Sequence, residues 1–126
     1  MDRAEAERLL HRSSPPLRAD EEARIREAYG ELSSEVIDCQ ERFLSMGKSE
    51  YESLVAKILG SWDKIRELAA SVPGAEETRR LLALVACPTE ARELGLDEAE
   101  IALAMKSAHY LRDRFTVRKL SLMLGL

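Results

Sequence analysis

The chain has 126 residues, 45% of them apolar and 33% charged, a balance that suffices for one buried core and excludes a disordered polymer. Its formal net charge of -4 weighs against a dedicated nucleic-acid binder, which normally carries a basic face. No apolar run approaches the roughly 18 residues that a membrane-spanning helix needs, and the charged start Met1-Asp2-Arg3-Ala4-Glu5 lacks a signal-peptide core. A cytoplasmic protein without membrane contact is therefore expected.

Ala, Leu, Glu, Arg and Lys dominate and β-branched runs are few, so helix is favoured along the whole chain. Asp2 to His11 reads as a short helix, closed by Ser13-Ser14-Pro15-Pro16, because paired prolines cannot continue a helix. Residues 1–19 thus form a short helix and a Pro-Pro linker, and 20–126 a helical domain. Asp20 is expected to cap the next helix, with Glu21 and Glu22 in its first turn, where the helix dipole favours acids. Ile25, Ala28, Tyr29 and Leu32, then Val36, Cys39 and Phe43, keep helical spacing. Gly30 interrupts them as a kink or as a boundary between two consecutive helices, and Gly47 ends the stretch.

Ser49 with Glu52 fits a capping box that opens an amphipathic helix through Tyr51, Leu54, Val55, Ile58, Trp62, Ile65 and Leu68 or Ala69. Pro73-Gly74 closes it. A helix from about Ala75 to Ala86 follows, with Leu81, Leu82 and Val85 expected inward. Cys87-Pro88-Thr89 is a turn, Thr89 caps a short segment from Glu90 to Leu94, and Gly95 is its C-terminal cap. Asp97 with Glu100 makes a second capping box before Ile101, Ala104, Met105, Ala108, Leu111 and Phe115. Thr116 caps a last helix, Val117 to Leu124, ended by Gly125. With no period-two alternation, the expected fold is an all-α bundle of six or seven helices.

Chemistry is sparse. The only histidines, His11 and His109, lack a metal-binding partner at helical spacing, although His109 and Asp113 would face one another on a helix as a hydrogen bond or ion pair. Cys39 and Cys87 show no Cys-x-x-Cys spacing and read as two buried free thiols in preference to a disulfide. The six glycines stand singly at helix ends, so no phosphate-cradling loop exists, and no residue is assigned a catalytic, cofactor-binding or metal role. The densest polar constellation runs from His109 to Thr116. It serves either as a polar collar fixing the last turn, or as a surface through which His109, Arg112, Asp113 and Arg114 contact a partner or an anion. The tail from Phe115 to Leu126 also has the outline of a helix-turn-helix opening, but no recognition helix follows in the sequence and the net charge is acidic.

Read as a whole, that tail resembles another pattern. His109-Tyr110-Leu111-Arg112-Asp113-Arg114-Phe115-Thr116-Val117, then Leu120, then Leu124-Gly125-Leu126, is similar to the closing Arg-Asp-Arg-(Tyr/Phe)-Thr…Leu-Gly-Leu of sn-glycerol-1-phosphate dehydrogenases. Cys87-Pro88-Thr89 leading into Glu93-Leu94-Gly95-Leu96-Asp97 resembles that family's Pro-Thr…Glu-Leu-Gly-Leu stretch. Trp62-Asp63-Lys64-Ile65 resembles its Trp-x-x-Ile, and Ile25-Arg26-Glu27-Ala28-Tyr29-Gly30 is similar as well. The resemblance implies the distal part of the helical domain of a dehydroquinate-synthase-like, metal-dependent alcohol dehydrogenase. In such enzymes a nucleotide-binding α/β domain precedes the helical one, and NAD(P)H reduces dihydroxyacetone phosphate at a zinc ion held by an Asp and two His. NAD(P) and zinc would then belong to a part of the enzyme absent from this sequence, because neither His11 nor His109 falls in a matching ligand motif. The chain is expected to be inactive alone, to self-associate, and to pack on the missing nucleotide-binding domain. The alternatives are a stand-alone helical protein-interaction module and, disfavoured by charge, a DNA-binding protein.

Overall fold

The computed structural model describes residues 1–126 and is all-helical, as the patterning predicts. Nine α-helices, several of them short and nearly continuous, and three short 3-10 turns account for the secondary structure. α1 spans Arg3–Arg12; α2 (Arg18–Tyr29), α3 (Ser33–Cys39) and α4 (Glu41–Leu44) follow one another closely; α5 (Lys48–Gly60) and α6 (Trp62–Ser71) are nearly continuous. α7 (Ala75–Leu84), a 3-10 turn (Ala91–Leu94), α8 (Glu98–Ser107) and α9 (Val117–Met123) complete the chain. No helix is long and apolar enough to cross a membrane.

Local signals place most boundaries. The Asp2 carboxylate accepts from the Glu5 N–H at 2.8 Å and opens α1. At Gly30 the backbone turns to φ +51, a left-handed value that a side chain would strain, and this ends α2 and lets a separate α3 begin. Asp97 and Glu100 form the reciprocal box, each side chain accepting from the other's N–H at 2.8 Å, and the Thr116 hydroxyl accepts from the Lys119 N–H at 3.3 Å to start α9. Glu93 takes the N–H groups of Thr89 and Glu90, while Gly95 at φ +79 closes that turn.

Several expected boundaries move. α2 starts at Arg18 and not after Asp20, because the Leu17 carbonyl already accepts from the N–H groups of Asp20 and Glu21. α5 is opened by Gly47, whose N–H is taken by Glu50 at 2.9 Å, two residues ahead of the expected Ser49–Glu52 box. The long amphipathic helix breaks at Gly60-Ser61, a residue pair that commonly kinks helices, where the Ser61 N–H is shared between the Lys57 and Ile58 carbonyls. α7 stops at Leu84 because Cys87 precedes Pro88 and cannot stay helical; Ala86 takes φ 53 and the Cys87 N–H closes back on Leu82 at 3.0 Å. α8 ends at Ser107, well short of Phe115, and a 3-10 turn over Ala108–Tyr110 leads into an irregular bend.

Two apolar clusters hold the fold. In the first, Ala6 and Leu10 of α1 meet Tyr51, Val55, Ile58 and Leu59 of α5, Trp62, and Met123 and Leu124 at the end of α9. The Ser13 hydroxyl adds a hydrogen bond to the Met123 carbonyl. The second joins Ile25, Val36, Ile37, Phe43 and Leu44 to Tyr110. Trp62 and Ile65 of the Trp-x-x-Ile segment sit in and against the first cluster. On the surface, Arg18 forms a forked pair with Glu41 at 2.8 Å and also holds Glu22, tying α2 to α4; solvent screening keeps such an exposed pair weak.

The two clusters leave much of the chain uncovered. Between Trp62 and Ser107 no residue is buried. Leu81 and Val85, expected inward, are 46% and 69% exposed, and Leu82 is only half-buried, because nothing packs across the face they form. The cysteines also depart from expectation: both are free, but Cys39 lies on the outer side of α3 and Cys87 in the open turn after α7, so both are exposed. A thiol reagent should therefore titrate both rapidly and without denaturant. Two equivalents reacting only after unfolding would contradict this exposure.

Candidate functional site

The segment from His109 to Thr116 is where the second cluster meets the tail, and it splits into an inward and an outward half. Tyr110 is fully buried and its hydroxyl donates to the Glu21 carboxylate, which also receives Arg24. Burial, and then the neighbouring carboxylate, push the Tyr110 phenol well above its ordinary range, so it remains a donor. The Tyr110 carbonyl accepts from the Gln40 side-chain amide at 2.8 Å, and the Gln40 carbonyl oxygen accepts from the Lys119 ammonium at 2.6 Å. Lys119 is 1% exposed and lies 4.4 Å from the centre of the Phe43 ring, so amide and π-face replace the water it has lost. Desolvation lowers its pKa, and the only nearby groups opposing that are Asp113, Cys39 and Glu21. The Tyr29 hydroxyl donates to the Ser107 carbonyl at 2.9 Å and fixes the end of α8 on α2.

His109 belongs to the inward half. It is buried, stacks on Tyr110 with ring centres 3.9 Å apart, and neither ring nitrogen has a hydrogen-bond partner. Its pKa falls to about 4, first through desolvation and then through Lys119, Arg118 and Arg24. The helical pairing of His109 with Asp113 does not form, because α8 has ended before either residue. Arg112, Asp113 and Arg114 lie outward in the bend and are exposed. The four residues therefore do not make one constellation: His109 faces the core, and the others face solvent.

Glu21, Gln40 and Lys119 are the polar residues that bind the tail to the core; the sequence pattern marks Glu21 only as a first-turn acid and gives Gln40 and Lys119 no role. Each stands four residues before a buried apolar side chain, namely Ile25, Leu44 and Met123, and so lies on an inward helical face. A polar residue on an apolar stripe is the signal that could have found them.

Asp113, Arg114 and Phe115 also line a cleft of about 590 Å³ with α4, α5 and Lys119. No three His, Cys, Asp or Glu side chains converge, and His11 is exposed and lies 3.9 Å from Glu7.

Fold and site together define an all-α protein whose C-terminal segment is locked into a helical core by a buried polar chain. Over part of its length it resembles glycerol-1-phosphate dehydrogenase: 58 residues, 46% of the chain, are 41% identical to the NAD(P)+ glycerol-1-phosphate dehydrogenase of Halorubrum lacusprofundi. That stretch covers 13% of the relative's length. No family model matches the chain, and no solved structure matches it.

Proposed function

We propose that this chain is the C-terminal helical part of a glycerol-1-phosphate-dehydrogenase-like protein of the dehydroquinate-synthase-like group, working only when packed against the remainder of that protein. The observation that carries this reading is the uncovered span between Trp62 and Ser107. Leu68 on α6 and Val72 just past it, Leu81 and Leu84 on α7 and Val85 just past it, then Leu94 and Leu96, and Met105 on α8 are all exposed. Burying one such side chain contributes about 1.5–3 kcal/mol, so a helical face of this composition implies a neighbour. In this reading the neighbour is the nucleotide-binding portion of an NAD(P)-dependent dehydrogenase, which would supply cofactor and metal; the partial resemblance supports that reading.

In this reading the isolated chain reduces no dihydroxyacetone phosphate with NADH or NADPH. Its apolar span acts as a docking face, and self-association in isolation would be a substitute for the missing contact. An immunoblot of source-cell extract with antibody against the chain tests the proposal. A band far above the 14.2 kDa of this chain is expected. A single band at the chain's own mass would overturn the proposal and leave a free-standing helical interaction module.

A further inference from the structure

The cleft between α4, α5 and the bend after Tyr110 has a chemistry that the dehydrogenase reading does not use. Its floor is buried and mixed, formed by the Phe43 ring and Lys119. Met46 and Leu54 make half-buried apolar walls, and Phe115 forms a more open one. Around the rim stand Arg42, Lys57 and Arg114, all exposed, and none of them is in a salt bridge although the surface elsewhere has nine. On a protein with 23 carboxylate side chains, the cleft gathers three cations that no carboxylate neutralises.

Two carboxylates share the cleft. Glu50 is occupied as the cap of α5, accepting the Gly47 N–H, so its charge is partly spent on the helix terminus. Asp113 is exposed and lies close enough to Lys119 to influence it without bonding to it. Four cations therefore face two carboxylates, one of them already engaged, across apolar walls. A volume of about 590 Å³ is that of a small-molecule site, in which apolar walls supply contact area and a few charged groups fix orientation.

From this arrangement we propose that the cleft binds a small organic anion, a phosphate or carboxylate ester-sized molecule with an apolar body, its charged end held by Arg42, Lys57 and Arg114 and its body against Phe43, Met46 and Phe115. Guanidinium groups suit both oxyanions because two N–H donors can meet two oxygens side by side. Lys119, sealed under the ligand, contributes long-range attraction while it keeps its bond to Gln40. Asp113 opposes the ligand and sets an upper limit on affinity. The site is made wholly of residues in this chain and does not depend on the dehydrogenase assignment.

Phenyl phosphate, benzoate, inorganic phosphate and phenol, titrated into the whole chain and followed by amide NMR, test the site. Phenyl phosphate and benzoate are expected to saturate with Kd of about 1 mM or tighter and to shift the amides of Lys57, Arg114 and Lys119. Inorganic phosphate and phenol should each bind at least about tenfold more weakly, since each offers only one of the two recognised features. The double variant Lys57→Gln/Arg114→Gln alters only exposed side chains and should weaken phenyl phosphate about tenfold or more with an unchanged spectrum elsewhere, whereas Asp113→Asn should tighten it. Stronger binding of phosphate-bearing than carboxylate-bearing probes would identify the phosphate as the preferred head group, and the reverse order the carboxylate. No saturation by either probe, affinity unaffected by the double variant, or binding of an oligoglutamate peptide with none of phenyl phosphate would overturn the proposal.

Discussion

Gln40→Met should destabilise the chain by about 3–5 kcal/mol, measured as a drop in the urea midpoint with an unchanged slope. The size follows from what one amide does. Its carbonyl oxygen is the hydrogen-bond acceptor for a Lys119 ammonium that is 1% exposed, and its NH₂ serves the carbonyl of fully buried Tyr110. Methionine fills similar volume, so little of the loss comes from packing. Most comes from an ammonium left with only the Phe43 ring, and from an unpaired peptide carbonyl. A domain of this size has about 5–15 kcal/mol in total, and with 20 buried residues of 126 this one has little core to spare. The double variant Gln40→Met/Lys119→Met should recover part of the loss, because no charge is then stranded, while the Tyr110 carbonyl remains unpaired. A loss below about 1 kcal/mol in the single variant would mean that water reaches Lys119 and that the polar chain does not hold the tail.

Acid should unfold the protein in a window set by His109. In the folded chain the imidazole is held neutral, with its pKa near 4 against 6.5 when free. Below 6.5 the unfolded chain binds a proton that the folded chain refuses, so stability falls as pH falls. The contribution is fully present above about pH 6.5, is reduced by about 2 kcal/mol at pH 5, and is lost below about pH 4, for a total of about 3 kcal/mol. Glu22 and Glu41, whose carboxylates are held below their ordinary pKa by hydrogen bonds to Arg26 and Arg18, add to acid loss only lower down, as pH falls below about 4.5. His109→Phe keeps a ring against Tyr110 and has no nitrogen to protonate, so its stability should be nearly flat between pH 4.5 and 6.5. Equal slopes for the two proteins in that interval would show that another group sets the acid sensitivity.

Local chemistry was legible in the residues themselves. Asp97 and Glu100 satisfy each other's N–H groups, Thr116 takes the Lys119 N–H, and Gly30 and Gly95 turn through left-handed φ, all within a few residues. Such signals depend on neighbours in sequence, and they sufficed for the all-helical class and most helix ends. The early end of α8 puts Tyr110 into a cluster with Ile25, Val36, Ile37, Phe43 and Leu44, which lie far along the chain, so packing overrode a continuous helical pattern there.

By itself the sequence determined which residues form helices, where most of these are capped, and which faces are apolar. Tertiary structure alone decided which faces find a partner: the α5 stripe is buried against α1 and α9, while the α7 stripe of Leu81 and Val85 stays open. It also decided that Glu21 meets Tyr110 and that Gln40 meets Lys119, pairs separated by 89 and 79 residues. Periodicity reports the direction a side chain faces. Whether anything stands opposite depends on how the helices are arranged in space, and no local pattern encodes that.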